Sequence, residues 1–156
     1  MPGFSGTTEG KILDLIYRAA AWGGYADNTA TTPQANISFS LHTASPGDAG
    51  TQTTSEVTVG AYNTYARVNR TRDSNASTGF AAPTSSAPTT ISPQTNIDFA
   101  AMVSGTGASL TDFATGSTGT TPAAGTILMF GTIAPSITVA AGVTPRLTTA
   151  TTFGLN

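Results

Sequence analysis

The chain has 156 residues, 9% of them charged, and a formal net charge of -2. This length corresponds to one domain that is able to bury a core. Six basic residues are too few for a nucleic-acid surface, no apolar run reaches the ~18–20 residues that span a membrane, and the absence of cysteine excludes disulfides and thiolate metal sites.

The first predicted element is a helix over Thr8–Ala21. Glu9 lies in its first turn, Gly23-Gly24 ends it, and Thr7 or Thr8 is its predicted N-cap. One apolar face has helical spacing: Ile12, Leu15, Ile16 and Ala19. A lone helix of this length is marginal in water, so the face must dock. Docking on its own β-domain is favoured, and docking on a neighbouring subunit is the alternative.

The next element is a strand over Asn36–Thr43, in which apolar and polar residues alternate. Ile37, Phe39 and Leu41 are predicted to face the core, and the face with His42 to point outward. The Ser45-Pro46-Gly47-Asp48 segment that follows predicts a turn, because proline fixes φ and glycine accepts a positive φ.

Many further short strands follow, separated by Gly/Pro turns. They are predicted at Tyr62–Arg72, Thr89–Ser92, Ile97–Val103, Ser109–Thr115, Thr126–Ile133, Ser136–Ala140, Arg146–Thr149 and Thr151–Leu155. This pattern, together with the high threonine content, predicts an all-β fold: an antiparallel, jelly-roll-like β-sandwich with one short N-terminal α-helix. We expect one domain over residues 1–156, with an arm and helix in 1–24 and the sandwich in 36–156.

The sequence contains few residues of the kinds that carry out catalysis. His42 is the single histidine, no nucleophile elbow is present, and the carboxylates form no acid/base pair motif. A metal site built on His42 and Asp48 would have too few ligands. We therefore predict no enzymatic activity, no catalytic residue, no cofactor and no metal.

Arg67, Arg70, Arg72 and Asp73 form the one charge cluster of the chain. The favoured interpretation is a solvated strand face on which arginine pairs with Asp73 or Glu56. The alternative is an anchoring patch for an acidic partner, because arginine donates bidentate hydrogen bonds.

Several segments carry a resemblance to a known family. They are Leu41-His42-Thr43-Ala44-Ser45-Pro46-Gly47, Ser55-Glu56-Val57 and Tyr65-Ala66-Arg67-Val68, with further segments at Asn96–Ala100, Leu110–Phe113, Leu128–Ile133 and Ile137–Leu147. Together they resemble a family of small structural proteins of tailed bacteriophages, whose members are labelled head decoration (cement) protein or tail-fibre-like protein. Asp112 stands where that family often has histidine, and the segment from Ser77 to Pro93 is longer than usual.

The resemblance implies a virion structural protein made in the host cytoplasm, where a chain without cysteine is suited to the reducing conditions. Since no coiled-coil or repeat stalk is visible, we expect a decoration protein on the capsid surface that binds the major capsid protein. We also expect a homo-oligomer, dimer or trimer, with no nucleic-acid or membrane partner.

Two alternatives remain open for the function. One is a tail, collar or fibre-associated structural protein. The other is a host-glycan-binding adhesion module, suggested by the aromatic residues Trp22, Tyr25, Tyr62 and Tyr65.

The predicted partner interface combines the N-terminal arm with the arginines: Pro2, Gly3, Phe4, Arg67, Arg70 and Arg72. The arm, Pro2 to Thr8, is expected to be disordered alone and to order on binding. With so few charges, binding is expected to depend weakly on salt. Glu56 and Arg67 are expected to lie close together, with Arg67 orienting the loop from Gly47 to Gly60.

Overall fold

The computed structural model describes residues 3–18, 22–23, 36–72, 79–81, 90–116 and 125–154. Within these ranges the chain forms antiparallel strands and one short helix. The predicted all-β fold with a single N-terminal helix is confirmed. No helix in the described part of the chain is long and apolar enough to cross a membrane.

The elements follow one another in short segments. In chain order they are β1 (Gly3–Phe4), α1 (Gly6–Tyr17), β2 (Asn36–His42), β3 (Val68–Thr71), β4 (Phe80–Ala81), β5 (Thr90–Pro93), β6 (Ile97–Asp98), β7 (Ala108–Gly116), β8 (Ile127–Val139), β9 (Arg146–Leu147) and β10 (Phe153–Gly154).

The strands form three sheets that share one core. The largest has five strands in the order β1-β8-β7-β2-β3, and two smaller sheets have the orders β10-β5-β4 and β6-β9. Phe39, Leu41 and Phe113 of the large sheet pack in one apolar cluster with Ile97 and Leu147 of β6 and β9. Phe39 and Leu41 are fully buried, as the alternation of β2 predicts, and Ile37 packs against the same cluster.

The predicted strand over Tyr62–Arg72 is too long. Only Val68–Thr71 pairs with β2, whereas Tyr65 donates its backbone N–H to the carbonyl of Tyr62 in a turn. Both tyrosines are nonetheless buried, so the apolar positions of this segment reflect packing of irregular backbone and not a strand face.

A break predicted at Pro135 is absent, and β8 runs through it. The β7–β8 ladder pairs Leu110 with Ile137 and Asp112 with Thr132, so residues 133–136 of β8 lie opposite Thr111 alone. Proline is tolerated here because a bulge leaves its residues outside the ladder hydrogen bonds.

The helix begins earlier than predicted. Its N-cap is Ser5, whose hydroxyl accepts the N–H of Thr8 at 3.3 Å, and not Thr7 or Thr8. Ser5 also donates its backbone N–H to Leu128 of β8 and its hydroxyl to the Ile127 carbonyl. The start of the helix is therefore fixed on this chain's own sheet. Ala19, part of the predicted apolar face, lies outside the described residues.

Candidate functional site

The segments that carry the family resemblance meet at the end of β2. Val57 donates its backbone N–H to the Leu41 carbonyl at 3.0 Å, and Thr43 donates to Ser55 at 2.9 Å. Between these bonds His42 and Glu56 form an antiparallel bridge. The loop after β2 therefore returns along the strand that it leaves.

Glu56 and Arg67 form a bidentate ion pair at this junction. Arg67 donates from Nε to Oε1 and from Nη2 to Oε2 of Glu56, each at 2.7 Å. The Arg67 side chain is 0% exposed and that of Glu56 4%. The predicted proximity of Glu56 and Arg67 is confirmed. A buried pair of this geometry satisfies both charges inside the chain.

Tyr65 extends the pair to β2. Its hydroxyl donates to Glu56 Oε1 at 2.7 Å and accepts the backbone N–H of Leu41 at 3.1 Å. Burial, reinforced by the Glu56 carboxylate, raises the pKa of Tyr65 far above its ordinary value. The phenol therefore keeps its proton and acts as the donor to Glu56. Four residues, Leu41, Glu56, Tyr65 and Arg67, thus form one continuous buried network.

His42 is fully buried, which corrects the prediction that it points outward. Its Nδ1 lies 2.8 Å from the Thr54 carbonyl and its Nε2 2.8 Å from Ser40 Oγ. Because a carbonyl only accepts, Nδ1 carries the proton, and in the neutral ring Nε2 accepts from Ser40. Burial lowers the pKa of His42, which favours this neutral form. The loop covers the Ser40–His42 pair, and the hydrogen bond from His42 to the Thr54 carbonyl joins the loop to β2.

Gln52 covers the same polar face of β2, on which Ser38 lies beside Ser40 and His42. Gln52 is buried and donates from Nε2 to Ser38 Oγ at 3.0 Å, and Ser38 donates to the Gly116 carbonyl. A Cβ built on Gly116 would approach the Gln52 side chain to 2.0 Å. A side chain at position 116 would therefore displace the Gln52 amide from its place against Ser38.

Arg67 is removed from the predicted partner interface, because it is enclosed by its own chain. Arg70 is half-buried and donates to the backbone carbonyls of Asn69 and Asn96, which ties β3 to the start of β6. Arg72 is exposed at the end of β3. The three arginines therefore do not form one surface patch.

The N-terminal arm is also built into the fold, contrary to the expectation that it is disordered alone. Gly3 and Phe4 pair with Phe130 and Met129 of β8, and Phe4 packs against the core cluster. Pro2 lies outside the described residues. Thr8 is buried and bonds the Ile127 carbonyl. Edge pairing and apolar contact together supply the order that the polar sequence of the arm does not suggest.

Two of the four aromatic residues suggested for glycan stacking are buried. Tyr62 is fully buried and Tyr65 is 5% exposed, with their rings in contact. Trp22 is half-buried, and Tyr25 lies outside the described residues. Tyr62 and Tyr65 belong to the core, the alternative that the sequence also allows.

The geometry supplies no metal site in the described ranges. Both ring nitrogens of His42 are engaged, Asp48 is exposed, and no group of three or more His, Asp or Glu residues there could hold an ion.

Comparison with known proteins identifies a family. A family model described as podophage GP4 fiber I protein gp80 matches residues 3–152, nearly the whole chain. The chain belongs to this family. This supports a phage virion structural protein, the class that the resemblance implies. No curated protein sequence matches the chain significantly.

Sequence reasoning missed three residues of this site: the buried Ser40 and Gln52, and the exposed Thr54, which takes part through its carbonyl. Ser40 alternates with apolar residues in β2 and shares the face of His42, which the alternation predicts to point outward. Gln52 and Thr54 lie in a loop without periodicity. A signal was nevertheless present, since a turn at Gly47 followed by Glu-Val allows the loop to return along β2.

Proposed function

We propose that this chain is a fibre-associated structural protein of a phage tail or collar. The supporting observation is the match of residues 3–152 to a family described as a podophage fibre protein. The buried Glu56–Arg67 network holds the loop after β2 against the strand and is enclosed by the chain, which is compatible with a structural role.

One end of the domain is suited to contact a neighbouring virion protein. It consists of residues 57–64, 100–107 and 140–145, which contain no charged residue and are joined by backbone hydrogen bonds. This uncharged end carries Val59, 59% exposed, and Val103, 67% exposed. An interface without charge would bind through shape and apolar contact, so its retention on particles should depend weakly on NaCl.

Capsid decoration is the second candidate, favoured by a specific feature. The described residues form short strands around one core and include no stalk helix or fibrous repeat. A domain of this kind could bind many equivalent lattice sites of the major capsid protein and gain from multivalency. Self-association into a dimer or trimer is part of either proposal.

The test is cryo-electron microscopy of particles made with and without the gene. The proposal expects density for this domain to disappear from the tail or collar region of the mutant particle, with the capsid surface unchanged. Loss of repeated density from the capsid lattice would contradict it and support decoration. Loss from neither place would contradict both candidates.

A further inference from the structure

The C-terminal part of β8 is an open edge of the large sheet. On the side away from β7, β8 pairs with β1 at Met129 and Phe130. No strand in the described part of the chain pairs with that side over residues 132–139, and most side chains of this stretch are exposed. Such an edge presents unpaired N–H and C=O groups, to which a strand of another chain can bind.

The β7 ladder shows which backbone groups face the open side. Val139 pairs with Ala108, and a Cβ built on Gly107 would lie 2.9 Å from the Val139 carbonyl oxygen, so this carbonyl points toward β7. In an antiparallel strand the N–H and C=O of one residue point to the same side, and the side alternates along the strand. Thr138, and by the same alternation Ser136, therefore offer their N–H and C=O groups to the open edge.

The side chains of the edge define the strand that would fit it. Ile137 pairs with the buried Leu110 and packs against the core cluster, but it is itself only half-buried. An apolar side chain on an added strand would complete its burial. Ser136 and Thr138 are exposed, and residues 132–145 contain no charged residue that could pair with an incoming charge. The edge therefore fits an uncharged strand with an apolar residue between small polar ones.

We propose that this strand is β8 of a second copy of the chain, paired antiparallel through the same edge about a two-fold axis. The segment Ser136-Ile137-Thr138 is itself an apolar residue between two small polar ones, so it satisfies its own requirement. With Ile137 opposite Ile137 of the second copy, each Ser136 lies opposite a Thr138, and each of these pairs exchanges two hydrogen bonds. Pro135 then lies opposite Val139, at a position where no N–H is needed.

The pairing names the surface, the symmetry and the register of the self-association that is part of the proposed function, and it rests on that part. The paired segment is short, because the bulge at residues 133–136 precedes it and a turn follows it, in which Val143 donates its N–H to the Ala140 carbonyl. We therefore expect weak association in dilute solution, strengthened in a particle that holds copies close together.

The first test traps the predicted register with a disulfide, since the chain has no cysteine of its own. Residues that face each other without exchanging hydrogen bonds have Cα atoms about 4.5 Å apart, within the roughly 4.4–6.8 Å that a disulfide spans. Ile137→Cys should therefore yield a covalent dimer when the purified chain is oxidised. Thr138→Cys is the matched control: its thiol is more exposed, but two copies of position 138 lie diagonally, about 7–8 Å apart.

The second test removes hydrogen bonds and leaves the β7 ladder intact. Thr138→Pro deletes the N–H that faces the open edge, whereas Thr138→Ala keeps it. Sedimentation equilibrium of the purified chain, up to millimolar concentration, measures dimerisation. We expect dimerisation at least ~10-fold weaker for the proline variant and close to that of the unsubstituted chain for the alanine variant. Urea denaturation shows whether the proline variant folds, and if it does not, the disulfide comparison decides.

The proposal is overturned if the chain stays monomeric or forms trimers, if Ile137→Cys is cross-linked no faster than Thr138→Cys, or if a folded Thr138→Pro variant dimerises normally. None of these results bears on the place of the protein in the particle, which the cryo-electron microscopy experiment tests. Density on the capsid lattice would in turn contradict the tail or collar placement and leave the pairing of β8 standing.

Discussion

Arg67, Glu56 and Tyr65 lie in the segments that carry the family resemblance, and the structure shows their physical role. The Arg67 guanidinium is fully buried on Glu56, which also accepts the hydroxyl of Tyr65. Removing one partner of such a pair leaves the other charged and desolvated. The three residues therefore hold the loop after β2 in place, and their presence together in the sequence is explained by folding alone.

Arg67→Ala should lower the free energy of unfolding by ~3–5 kcal/mol, measured by urea denaturation, because Glu56 would remain buried without its partner. Arg146→Ala is the matched control, since it breaks an ion pair with Asp98 that is about half exposed and should cost only ~0–1 kcal/mol. Equal effects of the two substitutions would contradict the structural role of the Glu56–Arg67 pair.

His42 should make stability depend on pH. Its pKa in the folded chain is lowered by burial, which outweighs the opposing effects of Thr54, Glu56 and Asp112. The unfolded chain therefore takes up a proton first, and stability should decline as pH falls below 6.5, with a slope of at most ~1.4 kcal/mol per pH unit.

Because the chain has one histidine, His42→Gln removes this dependence without altering another imidazole. Denaturation between pH 5.5 and 7.5, bracketing the ordinary pKa of 6.5, measures both proteins. The same slope in both would show that another group titrates. His42→Ala would be nearly neutral if His42 pointed outward, as the alternation of β2 predicts. We expect it instead to destabilise the chain by ~1–3 kcal/mol, because Ser40 and Thr54 lose a buried partner.

Among the secondary-structure elements, the alternation of apolar and polar residues locates a strand and its core-facing side. It does not show when a loop buries the polar side as well. The alternation of β2 places Phe39 and Leu41 correctly, but assigns Ser40 and His42 to solvent. The loop with Gln52 covers that face, and no local pattern reports a contact between segments that a turn brings together. The Glu56–Arg67 contact could be predicted because the resemblance grouped their segments.

The bounds of β1 and β8 could not be predicted either, because they depend on contacts between distant segments. Pairing of Gly3 and Phe4 with β8 is a long-range contact, and two residues are too few for a periodic signal. In β8, Pro135 is a residue typical of turns, and the sequence therefore predicts a break there. The strand continues because residues 133–136 form a bulge.

The N-cap assignment is directly testable. Ser5→Ala should destabilise the chain by ~1 kcal/mol or more, because the Thr8 N–H loses its acceptor and the Ile127 carbonyl loses its donor. Thr7→Ala, at an exposed position that the sequence also suggested as the cap, should have little effect. Thermal unfolding followed by circular dichroism compares them, and a larger loss for Thr7→Ala would contradict the assignment.

For the whole molecule, deletion of Met1 to Thr8 would not test only a contact between the N-terminal arm and a partner. It removes β1 and the start of α1, both fixed on β8, and should therefore reduce folding as well as any assembly. Substitutions at the uncharged end, such as Val103→Ser, alter an exposed side chain and leave the core intact.

A fibre-associated place in the tail or collar, which we propose for this chain, allows far fewer copies per particle than a place on the capsid lattice. Quantitative mass spectrometry of purified particles, with the major capsid protein as the reference, measures the copy number. We expect far fewer copies than capsid subunits, in the tens per particle. Hundreds of copies, in a fixed ratio to the capsid lattice, would rule out this placement and identify a decoration protein.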